Sequence, residues 1–113
     1  MSGIRRIEAE RNRQIKVEGF DSKRDDQYTN GEMVQAAVCY ILKHTKDMNL
    51  IDHLWPEGWS PDWIDKFSNP IRDLEKAGAL IVAEIDRLER LNDKVESDHY
   101  ENMYRDSLDD MSK

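Results

Sequence analysis

One cysteine among 113 residues cannot form an internal disulfide, and Cys39 has no metal-type spacing to the scattered His44, His53 and His99. Zinc sites of the usual Cys/His kind are therefore excluded. Also missing are a glycine-rich phosphate loop and a serine nucleophile elbow. The longest apolar run, Ala77 to Ala83, is far shorter than the ~20 residues that span a bilayer. The opening MSGIRRIEAE carries no apolar stretch of the export type, and with the lone thiol this sets the expectation of a reducing, cytoplasmic location. Positive charge is in deficit: 17 Lys and Arg against 24 Asp and Glu leave a net charge of −7. A general nucleic-acid backbone binder needs clustered cations and is disfavoured, whereas a small nucleotide held by a few local arginines is compatible.

No alternating β-branched run, internal repeat or low-complexity block is present either, so helical periodicity is left as the organising signal. The length suits one domain, and 38% hydrophobic residues suffice for a modest core beneath a surface rich in the 36% that are charged. Ile4, Ile7 and Ile15 recur at helical spacing and Gly19 is a natural stop, which predicts a first helix from Ile4 to about Glu18. The polar stretch 19–30 reads as a turn-rich loop. Thr29 followed by Glu32 reads as a capping box that opens a second, central helix running to His44. A break follows from Lys46 to Pro70, where LWPEGWSPDW holds two prolines and all three tryptophans, with Ser60 and Pro61 starting a short turn through Phe67.

The strongest helix begins after Pro70. Ile71, Leu74, Gly78, Ile81, Ile85, Leu88 and Val95 alternate steps of three and four, while Ala77 and Leu80 add a second strip, so this helix should pack on two sides. The expectation is an all-α bundle of three main helices, a core domain over residues 1–91, and over 92–113 a continuation of the last helix, a docking helix or a polar tail. Tyr100, Tyr104, Leu108 and Met111 give that tail only a thin stripe. Two-sided burial of the last main helix sets the further expectation of a homodimer.

Charges planted on apolar stripes are the functional signal, because a buried charge needs a partner, a ligand or a metal. Arg11 lies between Ile7 and Ile15, with Gln14 and Glu18 along the same helix. Asp73 and Glu84 flank Ala77 and Leu80, about three turns apart, with Arg72 adjacent. An Arg11–Glu84 ion pair is the first expectation, with Asp73 as the other acceptor, and an anionic ligand is the alternative occupant near Glu32. Asp25, Asp26 and Glu32 form a second acidic group of the kind that holds magnesium, although loop aspartates and a capping glutamate serve as well for turns. Trp55, Trp59, Trp63 and Phe67 recur every four residues. They can close one end of the core, or one indole, with Trp59 the candidate, can stack on a base.

The runs IRRIEAERNRQIKVEGFDSKRDDQYTNGEMVQAAVCYI and RDLEKAGALIVAEIDRL, with the tryptophan segment between them, resemble a family of small, mostly uncharacterised proteins of tailed phages and prophages. The resemblance covers Ile4 to Leu91 and rests on E-R-x-R-Q paired with R-D-L-x-K-A-G-A-L-I. Acids on inner helix faces are also faintly similar to all-α nucleotide pyrophosphatases of the MazG type, which hold magnesium through E-x-x-E and E-x-x-D motifs. Here Glu32 is followed three residues on by Gln35, and Glu84 by Asp86 and Arg87, so neither motif is intact. The resemblance to phage proteins implies an accessory protein that counters a host defence by binding a nucleotide signal or a host protein. The alternative is a magnesium-dependent nucleotide hydrolase using Arg11 or Arg72 against phosphate.

Overall fold

The computed structural model describes the backbone of residues 1–43, 45, 48–65 and 69–111, and their side chains except at 48, 65 and 99–111. Among these residues the protein is all-α. Six helices follow in order: α1 (Gly3–Lys16), α2 (Ser22–Asp25), α3 (Glu32–Leu42), α4 (Met48–Leu54), α5 (Pro61–Asp65) and α6 (Pro70–Met111). α6 is the spine, packing against α3, α1 and α2. Its 42 residues span about 63 Å at the standard helical rise and account for the 67 Å long axis of the molecule. Residues 92–111, within the segment read from sequence as a continuation, a docking helix or a tail, continue α6. No helix among the described residues is long and apolar enough to cross a membrane.

Local chemistry fixes the helix ends. Ser2 accepts the Arg5 amide at 3.2 Å to start α1. The left-handed turn at Gly19 (φ 76°) reverses the chain so that the Phe20 amide returns to the Gln14 carbonyl at 2.9 Å. Within the stretch expected to be loop, Asp21 accepts from the Arg24 amide at 2.9 Å and nucleates α2, a single turn too short for periodicity to reveal. The Thr29 capping box does not form. Gly31, at φ 81°, is the residue before α3, and the Glu32 carboxylate accepts from the Asn30 amide at 2.6 Å. The expected end of this helix at His44 lies outside the described residues, as does Phe67.

α4 lies inside the predicted break, where it ends one residue before the turn that Pro56 begins; the prolines delimit helices here instead of abolishing them. Ser60 accepts from the Asp62 amide at 3.3 Å with Pro61 in first position, as its sequence implies. Asn69 accepts from the Arg72 amide at 2.9 Å and opens α6 in the same manner.

The apolar core joins Met33, Ala36, Ala37 and Tyr40 of α3 to Ala77, Leu80 and Ala83 of α6, closed by Ile51, Trp59 and Ile64. α1 departs from expectation: Glu10, Arg11 and Gln14 are its buried residues, while Ile4 is 81% exposed and Ile15 39%. The inner face of α1 is polar because the residues it meets on α2 and α6 are charged. Most of the three-and-four stripe of α6 also faces outward, while the strip through Ala77 and Leu80 and the neighbouring Glu75 and Ala79 are buried within one chain.

Close contact of α1 with α6 depends on Gly78. A Cβ there would stand 2.6 Å from Ile7 Cδ1 and 2.8 Å from Cγ1, inside any tolerable contact. Gly78→Ala gains about 1 kcal/mol of helix propensity but incurs about 1–3 kcal/mol of overpacking. The expected net effect is a loss of about 1 kcal/mol in urea denaturation. In an Ile7→Ala background the same substitution should be neutral or stabilising.

Candidate functional site

A chain of ion pairs runs between α1 and α6, centred on a carboxylate that sequence reading passed over. The Glu10 side chain is wholly buried, accepting from Arg13 Nε at 2.6 Å and from Arg72 Nη2 at 3.0 Å. Arg72 also donates to Glu75 at 2.7 Å, and Arg6 reaches Glu75 at 3.4 Å. Burial alone would raise the Glu10 carboxyl, but the hydrogen bonds and charges of Arg13 and Arg72 prevail and hold it below its ordinary value. The carboxylate is thus a fixed anion beneath two guanidinium groups.

The expected Arg11–Glu84 pair is replaced by two separate pairs. Arg11 Nη2 donates to Asp25 at 2.9 Å and Nη1 to the Phe20 carbonyl at 3.3 Å, since α2 brings a fully buried carboxylate onto α1. Glu84 instead accepts from Arg87 Nε, one turn along its own helix, at 3.1 Å. Asp73 is likewise engaged, by Lys43 Nζ at 3.3 Å.

The acidic group proposed for magnesium is not assembled. Asp25 faces Arg11 and Arg24, Asp26 is held by Arg90 at 2.7 Å, and Glu32 serves the Asn30 amide. Each of the three carboxylates has at least one oxygen directed at a nitrogen. Among the described residues no group of three or more Asp, Glu, His or Cys is placed to hold a metal.

A half-open cavity of about 180 Å³ lies beside the Glu10 pairs, where α1, the chain after it, α3, the tryptophan segment and α6 meet. Its aromatic wall is Phe20, Tyr40, Trp59 and Trp63. Phe20 and Trp63 stand 5.6 Å apart between ring centres, and Trp55, Trp59 and Trp63 follow edge to face at 5.8 Å. The Tyr40 hydroxyl donates to the Trp63 carbonyl at 3.2 Å, fixing the tryptophan segment to α3. Burial, then the Asp73 and Glu10 carboxylates, push the Tyr40 phenol up, so it stays protonated. The neighbouring Cys39 thiol, pushed up to about 11 by burial, is no nucleophile.

Three cations line the cavity: Arg13, Arg72 and Lys76. Both arginines are committed to carboxylates, whereas Lys76 has no ion-pair or hydrogen-bond partner among the described residues and lies 5.7 Å from the Tyr40 ring centre. Burial pushes its ammonium below its ordinary value, and neighbouring Arg72 adds to that. Of four buried polar atoms without a hydrogen-bond partner among the described residues, Arg11 Nε and Glu84 Oε2 lie elsewhere, and the Gln14 amide oxygen and the Trp59 indole nitrogen are on residues that line this cavity. A group bearing negative charge and hydrogen-bonding edges would answer Lys76 and these last two.

Of the residues singled out from sequence, the fold brings Gln14, Glu18, Trp59 and Arg72 to the cavity and leaves Arg11, Glu32, Asp73 and Glu84 elsewhere. Glu18 is exposed at the rim, paired with Arg13 at 2.9 Å. Sequence reading missed Arg13, Phe20, Tyr40 and Lys76 as site residues, and named Trp63 only within the tryptophan series, with Trp59 the candidate. One signal was available: Arg72, Lys76 and Leu80 follow at four-residue steps, a strip beside the one through Ala77.

Removing the central anion tests the network. Because the folded pKa of Glu10 lies below its ordinary 4.5, its contribution is complete above that pH and is lost as pH falls through the folded value. Arg13 and Arg72 retain 38% and 36% side-chain exposure, so water screens both. Glu10→Gln should therefore cost about 2–4 kcal/mol at neutral pH, the lower part of the range for broken buried pairs. Urea titrations should find that deficit shrinking as pH falls below the ordinary 4.5, and a pH-independent deficit would contradict the assignment. Set against family models, curated proteins and solved structures, the chain matches none of them.

Proposed function

We propose that this protein is a non-enzymatic binding module for a small nucleotide-type anion, acting as a phage or prophage accessory protein that sequesters a nucleotide signal of host defence. The observation that carries this reading is the Lys76 ammonium, which makes no ion pair among the described residues, set against the Phe20–Trp63 wall in the same cavity. A phosphate or other anion meets Lys76, with Arg72 adding field at close range. A planar base meets Trp63, which is half-buried and so keeps a free face, unlike the buried Trp59. The Gln14 amide oxygen and Trp59 indole N–H supply an acceptor and a donor for base edges. At about 180 Å³ the cavity suits one base or phosphate-sized group, the remainder of the ligand extending through the open side.

Sequestration is favoured over hydrolysis because the nearby carboxylates are neutralised by guanidinium groups, which leaves no free base aimed into the cavity. Calorimetry and thermal shift with nucleoside monophosphates, diphosphates and cyclic mononucleotides, without magnesium, give the direct test. Binding should stabilise the fold, and Lys76→Ala should weaken affinity about 10- to 100-fold at unchanged helicity, the worth of one charge-assisted contact. Affinity should fall as pH rises through the depressed pKa of Lys76, below the ordinary 10.5 of lysine, because deprotonation removes the cation. Magnesium-dependent release of phosphate or pyrophosphate would replace this reading with the hydrolase. No shift with any nucleotide would leave a host protein as the ligand.

A further inference from the structure

The outer stripe of α6 takes part in neither the core nor the cavity. Ile71, Leu74, Ile81, Ile85, Leu88 and Val95 are each 43–58% exposed, and Asn92 together with Gly78, which Ile7 of α1 covers, completes the alternation of three- and four-residue steps. That period of 3.5 is the seam of a coiled coil, not the broader face of a surface helix. With Leu91 the stripe presents on the order of 600 Å² of apolar side chain, at the limit for a monomer's largest patch and most of the ~800 Å² per partner in a stable interface.

Charge sets the direction of the partner. Past Arg90, which holds Asp26, every residue from Leu91 to Asp98 is exposed. From 91 to 111 this arm carries seven acids and two bases, while α1 carries five bases and two acids. Beside Arg6, the start of α1 and the start of α6 enclose an apolar groove of about 290 Å³, lined by Gly3, Ile7, Ile71 and Leu74. A parallel pair would lay two acidic arms side by side. An antiparallel pair lays each arm along the other copy's basic α1.

We infer that α6 binds a second copy of this chain in antiparallel fashion, with Val95 seated on the partner's α1–α6 groove and Glu96 and Asp98 beside its Arg5 and Arg6. The register places Ile85 opposite the partner's Ile81 and brings Leu88 to the partner's Ile7, which covers its Gly78. This interface stands apart from the cavity and does not depend on what fills it.

Light scattering on the full chain should give twice the 13.3 kDa monomer mass. Ile85→Lys should raise the dimer dissociation constant about 100-fold or more while helicity stays unchanged, since the residue is half-exposed within one chain. Leu88→Gln, as a milder second variant, should weaken the dimer in the same sense. Added salt should also weaken it, because the arm contact is ionic. A mixture of Ile71→Cys and Val95→Cys chains should form a disulfide between unlike copies on oxidation, and Val95→Cys alone should form none. A monomer at all concentrations, or a dimer indifferent to Ile85→Lys, would overturn the interface. A disulfide between two Val95→Cys copies would overturn the antiparallel arrangement.

Discussion

The grip of Arg13 and Arg72 on the buried Glu10 carboxylate is the contact on which the arrangement depends. It joins α1 to the first turns of α6 with no long aliphatic interdigitation between the two helices. A carboxylate taken out of water is tolerated only when its lone pairs are satisfied, and here two guanidinium groups do so. The same groups then line the cavity with cationic edges. Stability and recognition therefore draw on the same side chains, and the cavity has a positive wall because the core beneath it has a negative centre.

The polar interface of α1 explains why Ile4 and Ile15 look outward and only Ile7 meets α6. Small residues at Ala77, Gly78 and Ala83 bring α1 and α3 close to the spine, which leaves room for Ile7 but not for a row of large side chains. Charged side chains complete the contact because they are long and can reach across from the flanks. A single-turn α2, capped by Asp21, adds the one carboxylate that Arg11 needs.

Helical class, the α1 stop at Gly19 and the start of α5 at Ser60 were legible in the sequence because each rests on local chemistry. The orientation of α1 was not, since Ile4, Ile7 and Ile15 have the period of an inner stripe and only tertiary contacts decide which side of a helix is inner. For the same reason the α6 stripe was taken as internal burial, although its period was read correctly. At the site, Arg72, Gln14 and Trp59 could be named as polar or amphipathic residues near the core. Lys76 and Phe20 could not, because what distinguishes them is a cavity formed by segments far apart in the chain. The Arg11–Glu84 pair failed through a competitor: α2, unseen in the sequence, offered Arg11 a nearer acid.

The edge-to-face row of Trp55, Trp59 and Trp63 has a spectroscopic consequence. All three indoles of the protein lie in one contiguous aromatic cluster with Tyr40, Tyr28 and Phe20, and two of them border the cavity. Tryptophan emission of this chain, selectively excited, thus originates at a single location, whereas near-ultraviolet dichroism also carries Tyr100 and Tyr104 of the distal arm. The emission constitutes an intrinsic optical gauge of the aromatic wall, so that a shift in it reports the state of that wall and not of the arm.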